Sequence, residues 1–154
     1  MLFRSSIVVS ILAVFVLLVY IPQNNFGLLL AFSILTLSKA FVDFSTSGLE
    51  NPATHLFAVC FAAYYLRVEK PLSDRSRFLL SLIAGLAMFN RMDTLLFYLP
   101  VLIALFLNQP TRQTFRSILA GLSPFIIWEM FSIIYYGFPI PRSEERRVGK
   151  ECRL

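Results

Sequence analysis

Residues 78–107 read FLLSLIAGLAMFNRMDTLLFYLPVLIALFL, thirty positions whose only charges are Arg91 and Asp93, close to the middle. A helix advances about 1.5 Å per residue and a bilayer's hydrocarbon core is about 30 Å thick, so a full crossing takes about 20 residues. The stretch is therefore either one long helix with a charged centre or a hairpin of two short ones. The flanks favour the hairpin. Arg67, Lys70, Arg75 and Arg77 precede it, and Arg112 and Arg116 follow it. Basic loops stay on the cytoplasmic face. An even number of crossings then lies between them, and Arg91-Met92-Asp93 turns the chain back on the far side.

Working outward gives six apolar segments, at about 5–21, 26–42, 53–66, 78–90, 94–107 and 117–136. Pro22-Gln23-Asn24-Asn25 is a tight turn. Residues 43–52 form a polar loop, 67–77 a charged one and 110–116 a basic one. By the same count the 43–52 loop and the Gly137–Pro141 end fall on the extracytoplasmic side. The chain is 57% hydrophobic and only 15% charged, too few charges to coat a soluble domain, which is about one quarter charged. The expected fold class is thus all-α, a polytopic transmembrane helical bundle. The net charge is +5, and the basic residues sit in short loops between apolar runs, which argues for membrane topology and against nucleic acid as a partner. One histidine and two cysteines leave no disulfide framework and no metal cluster. P-loop, dinucleotide, nucleophile-elbow and zinc patterns are absent from the sequence.

Residues 142–154, RSEERRVGKECRL, break abruptly from this composition. Twelve consecutive positions, Arg142 to Arg153, read as the translation of a common sequencing adapter. We expect a partial transmembrane domain over 1–141, followed by a non-native tail over 142–154.

An ionisable group inside lipid costs about 2.5–3.5 kcal/mol on insertion scales, so each one calls for a partner or a cavity. Asp43 opens the extracytoplasmic loop, either as a substrate-binding or basic carboxylate or as the partner of Lys39 four residues earlier. Ser47 and Glu50 have the spacing of a capping box. Asn51-Pro52 instead reads as an N-cap followed by proline at the first helical position. His55 lies one turn on, as an interface or hydrogen-bonding residue. At the hairpin apex, Asp93 reads as an N-cap for the following helix. Arg91 is either a phosphate or carboxylate fork or half of an internal ion pair. The two are i and i+2, which do not face each other on one helix. Glu129 is a structural intramembrane acid, expected to face the protein interior and to pair with Arg91.

In order along the chain, Asp43-Phe-Ser-Thr-Ser-Gly-Leu-Glu-Asn-Pro-Ala-Thr-His55, Asn90-Arg-Met-Asp93, Trp128-Glu129 and Tyr135-Tyr-Gly-Phe-Pro-Ile-Pro141 resemble a bacterial group of GT-C superfamily glycosyltransferases. That group is akin to the terminal arabinofuranosyltransferases of the mycobacterial cell envelope. The resemblance covers about residues 26–141. The first and last motifs are fairly specific, and the Arg-x-Asp hairpin is more widespread. The last motif typically continues Asn-Thr, where this chain has Arg142-Ser143. The family's catalytic aspartate usually follows its first span. Here only four uncharged residues join the first two segments, so that loop lies upstream of Met1 or the spans are set differently.

The resemblance implies an enzyme of the bacterial plasma membrane with its active face outside. Its donor is a polyprenyl-phosphate sugar and its acceptor a cell-envelope glycan. Asp43, Glu50 and Asp93 become candidate catalytic carboxylates, and Arg91, Ser45, Ser47, Asn51 and His55 candidate substrate-binding residues. No cofactor is expected, the lipid-linked sugar being a substrate, and metal dependence stays open. The piece itself is expected to be inactive alone. The competing functions are a transporter or flippase of lipid-linked intermediates and a non-catalytic assembly protein.

Overall fold

In a computed structural model of the chain, the structure describes residues 2–22, 24–39, 41 and 50–137. All regular structure among them is helical: α1 (Leu2–Tyr20), α2 (Asn25–Leu37), α3 (Glu50–Arg67), α4 (Asp74–Asn90), a single 3-10 turn (Met92–Thr94), α5 (Leu95–Asn108) and α6 (Arg112–Tyr136). The adapter-like segment 142–154 lies outside the described residues.

Local chemistry sets the boundaries. Ser73 Oγ accepts the Ser76 N–H and starts α4 inside what the sequence suggested was loop. Thr111 Oγ1 does the same for Thr114 N–H at 3.1 Å, so α6 begins at Arg112, five residues before its apolar run. The basic 110–116 loop of the sequence reading is therefore mostly helix, and Arg112 and Arg116 stand on its first turns. Its other end closes on Gly137 at φ 72°, the left-handed position where glycine carries no steric penalty. Pro124 cannot bond back to Ala120. Ser123 Oγ donates to that carbonyl instead, at 2.8 Å, and keeps it satisfied inside an apolar helix.

Contacts between helices fix their directions. Asn51 at the start of α3 meets Arg91 at the end of α4, and Tyr64 donates to Ser76 from the other end of α3, so α3 and α4 are antiparallel. Arg77 near the start of α4 bonds Gln109 just past α5, so α4 and α5 are antiparallel too. Arg77 also donates to Thr114, while Phe89 packs edge-on against Trp128 at 5.2 Å, so α4 and α6 run parallel. Arg67 caps α1 by donating to the carbonyls of Val19 and Tyr20, with its guanidinium 4.9 Å over the Tyr20 ring.

Helix α4 is the centre of the bundle. Leu80, Ser81, Ala84 and Ala87 are fully buried, and Met88 nearly so. Its small residues admit a close crossing with α6: a Cβ at Gly121 would lie 2.5 Å from Ser81 Cβ and 2.7 Å from the Phe78 carbonyl. Such small-residue crossings are how helices associate where lipid supplies no hydrophobic drive. Phe61 from α3 and Tyr98, Leu102 and Leu105 from α5 complete the core.

Between its polar ends, much of the bundle's outer surface is apolar. Phe26, Leu37, Leu96 and Ile134 are 76%, 84%, 78% and 82% exposed. Helix α2 buries none of its residues. Among the described residues one helix, over Arg112–Tyr135, is long and apolar enough to cross a membrane, and only 11% of its apolar window is buried within the chain. Three shorter apolar helices accompany it, over Ser5–Tyr20, Asn25–Leu37 and Met92–Asn108.

Candidate functional site

One end of the bundle gathers Asn51 and Thr54 from α3, Asn90 from α4, and Arg91, Asp93 and Thr94 from the break before α5. The break is real: Arg91 closes α4 with its N–H on the Ala87 carbonyl at 2.9 Å, then turns extended at φ −147°, ψ 118°. Thr94 Oγ1 donates back to the Arg91 carbonyl at 2.6 Å and ties off the turn.

That extended residue changes what Arg91 and Asp93 can do. On one continuous helix i and i+2 point apart. Here Arg91 Nε and Nη2 reach Asp93 Oδ1 and Oδ2 at 3.2 and 2.8 Å, a two-point fork. Asp93 therefore does not cap α5. Thr94 occupies the cap position, its hydroxyl turned back to the Arg91 carbonyl rather than capping α5, and the carboxylate is spent on Arg91. Arg91 Nη1 also donates to Asn51 Oδ1 at 2.8 Å, and Asn90 Nδ2 to Thr54 Oγ1 at 3.0 Å. These two bonds stitch the start of α3 to the end of α4.

Asn51 is thus a bracing residue and already part of the helix rather than its N-cap; α3 has begun by Glu50. Pro52, fully buried, still sits in the first turn, where its missing N–H costs nothing. His55 is half-buried on the next turn with its ring 5.4 Å from that of Phe41. Asp43, Ser45 and Ser47 lie outside the described residues, and Glu50 is placed only as the first residue of α3.

Glu129 occupies the face of α6 that carries Leu122, Phe125 and the buried Ser132, so it belongs to the inward stripe. The expected pairing with Arg91 is not made: Arg91 is held by Asp93 and Asn51, and among the described residues no hydrogen bond or ion pair reaches Glu129. The carboxylate two residues from Arg91 reaches it with little loss of side-chain freedom, and a more distant one does not compete.

Arg91 carries five N–H donors. Among the described residues three are engaged, which leaves two without a partner there. Its side chain is 40% exposed and that of Asp93 65% exposed. An ion pair this open contributes no more than about 1 kcal/mol, so an incoming anion displaces Asp93 at little cost. Among the described residues no cluster of histidine, cysteine or carboxylate suits a metal ion.

Sequence reasoning missed the opposite end. Arg77 is buried, 6% exposed, and binds Asp74, Thr114 and Gln109. It had counted only as one of several loop charges. The Ser-Asp-Arg-Ser-Arg run does place Asp74 and Arg77 at helical i, i+3 spacing, but nothing local announces Gln109 or Thr114. No family model, no curated protein and no solved structure matches the chain.

Proposed function

We propose that this chain is the helical part of a multi-span membrane glycosyltransferase, using a polyprenyl-phosphate sugar on the extracytoplasmic side. The observation that supports it best is the convergence of two separated motifs at one bundle end. Asn51 and Thr54 of the first loop motif meet Asn90, Arg91 and Asp93 of the second, and Arg91 retains two donors. The alternating helix directions put this cluster opposite the basic end that holds Arg67, Arg77 and Arg112, as a serial bundle with its basic loops in the cytoplasm requires.

On this reading the donor's phosphate takes the two spare N–H groups of Arg91 and then displaces Asp93 from the fork. The freed carboxylate accepts the proton of the acceptor hydroxyl. The hydroxyl oxygen attacks the anomeric carbon from the side opposite the phosphate. The glycosidic bond forms as the sugar–phosphate bond breaks, and the phosphate leaves with the electron pair, held by Arg91. Asp43 and Glu50 remain alternative bases from the same loop motif.

The test is sugar transfer by the full-length gene product in membranes, with Arg91→Ala and Asp93→Ala compared with the native protein at equal insertion. Both variants are expected to lose transfer. Full transfer by both sinks the site assignment. Transport of a lipid-linked intermediate without any sugar transfer replaces the enzyme reading with the flippase.

A further inference from the structure

At the basic end of the bundle a groove of about 560 Å³ opens between the end of α5 and the start of α6, lined by Phe106, Pro110, Thr111, Arg112, Phe115 and Arg116. Arg112 and Arg116 are one turn apart, so both charges stand on one face of α6. Both are exposed, and among the described residues neither meets a carboxylate. Asp74, the acid nearest this end's polar network, is bonded to Arg77. Two like charges at i, i+4 repel, and Arg112 also stands where its own helix dipole is positive. An anion between the two would relieve this repulsion and meet the positive end of the helix dipole. Beside the charges, Phe106 and Phe115 hold an edge-on pair at 6.3 Å that forms an exposed apolar wall.

We propose that this groove binds the headgroup of an anionic membrane phospholipid in the cytoplasmic leaflet. The phosphodiester lies between Arg112 and Arg116, and the glycerol and upper acyl carbons lie on Phe106 and Phe115. The chemistry favours a lipid over a free anion, because the charged pair is fused to an apolar wall that inorganic phosphate leaves uncovered. This rests on the membrane reading of the fold but not on the transferase assignment.

The test is association of spin-labelled phosphatidylglycerol against spin-labelled phosphatidylcholine with the full chain reconstituted in phosphatidylcholine vesicles. The native chain is expected to prefer phosphatidylglycerol. Each arginine removed should lower that preference about fivefold, the worth of one basic residue at a membrane surface. Arg112→Gln with Arg116→Gln should abolish the preference, and Arg112→Lys with Arg116→Lys should keep most of it. Arg75→Gln removes an exposed charge from the same end but outside the groove, and should leave the preference unchanged.

Equal preference in the native chain and the double glutamine variant overturns the proposal. So does an equal loss in Arg75→Gln, which makes the effect one of general surface charge. Displacement by inorganic phosphate at millimolar concentration assigns the site to free anions and overturns the lipid. A chain that does not insert overturns this proposal together with the membrane reading, whereas insertion without lipid preference overturns this proposal alone.

Discussion

Gly121 on α6 faces Ser81 on α4 so closely that a Cβ at Gly121 would lie 2.5 Å from Ser81 Cβ. A methyl at Gly121 would meet the Phe78 carbonyl at 2.7 Å and the Leu82 N at 2.8 Å, and backbone cannot swing aside as a flexible side chain does. Gly121→Ala should therefore destabilise the bundle by about 1–3 kcal/mol, the usual cost of overpacking. Gly27→Ala is the control. Its Cβ would have Pro22 Cβ 3.8 Å away, an ordinary contact, so the change should be neutral or stabilising by about 0.5–1 kcal/mol from helix propensity. Unfolding of both variants in mild detergent gives the comparison, and equal stability of the two removes the close crossing.

Arg77 holds three elements at once: Asp74 on its own helix, Gln109 after α5 and Thr114 on α6. Arg77→Ala should cost about 2–3 kcal/mol, because hydrogen bonds to a charged group are lost and Thr114 is left buried. Asp74→Asn keeps an amide oxygen for Arg77 Nη1 and leaves Gln109 and Thr114 on the guanidinium, so it should cost less than Arg77→Ala. The ratio of the two effects, read from thermal unfolding, separates a three-way brace from a simple ion pair. Near-equal effects would favour the latter.

Arg91→Lys keeps the charge but loses the planar fork that grips Asp93 and Asn51. If phosphate is held by that fork, transfer by the full-length protein should fall about 100-fold, within the range for losing one electrostatic donor at a reacting centre. Helix content should not change. Transfer at native levels would mean that a point charge suffices and that the fork serves only to brace α3.

The chain has a single tryptophan, Trp128, on the face of α6 beside Phe89 and Phe131 and 43% exposed. In a bilayer its fluorescence should be blue-shifted. Lipids brominated high on the acyl chain should quench it more than lipids brominated near the chain ends, since Trp128 stands close to the Arg91 end of the bundle. Water-like emission with no lipid quenching is the outcome that the membrane reading could not survive.

Glu129 makes no polar contact among the described residues, so Glu129→Gln should leave stability unchanged or raise it. A charge in lipid costs up to about 2.5–3.5 kcal/mol, and the amide avoids it. A fall in unfolding temperature on this substitution would show a partner that the native carboxylate needs.

The helical class and the break at Arg91 were legible because both are written locally, in apolar runs and in one charged tripeptide. Helix starts were misplaced at α4 and α6, because Asp74, Arg75 and Arg77, like Arg112 and Arg116, look like loop when hydropathy is the guide and the hydroxyls of Ser73 and Thr111 are the real signals. An internal ion pair at Arg91 was legible as one alternative, but Asp93 was not recognised as its partner because spacing rules assume a continuous helix. An extended Arg91 brings i and i+2 together. Asn51 read as a cap for the same reason: its partner is forty positions away, and no pattern within a single segment reaches that far.

Arg67 donates to Tyr20 across forty-seven positions, and this long reach sets an order of events at the ribosome. The first helix packs mainly on the third, with little on the second, so its docking surface does not yet exist when it leaves the exit tunnel. At about 5–20 residues per second the wait is about 2–9 seconds before the arginine that seals its last turn is made. Through that interval the first helix persists on its own length and apolarity. A pause or truncation between residues 20 and 67 would leave it stranded, a newborn segment whose partner never arrives.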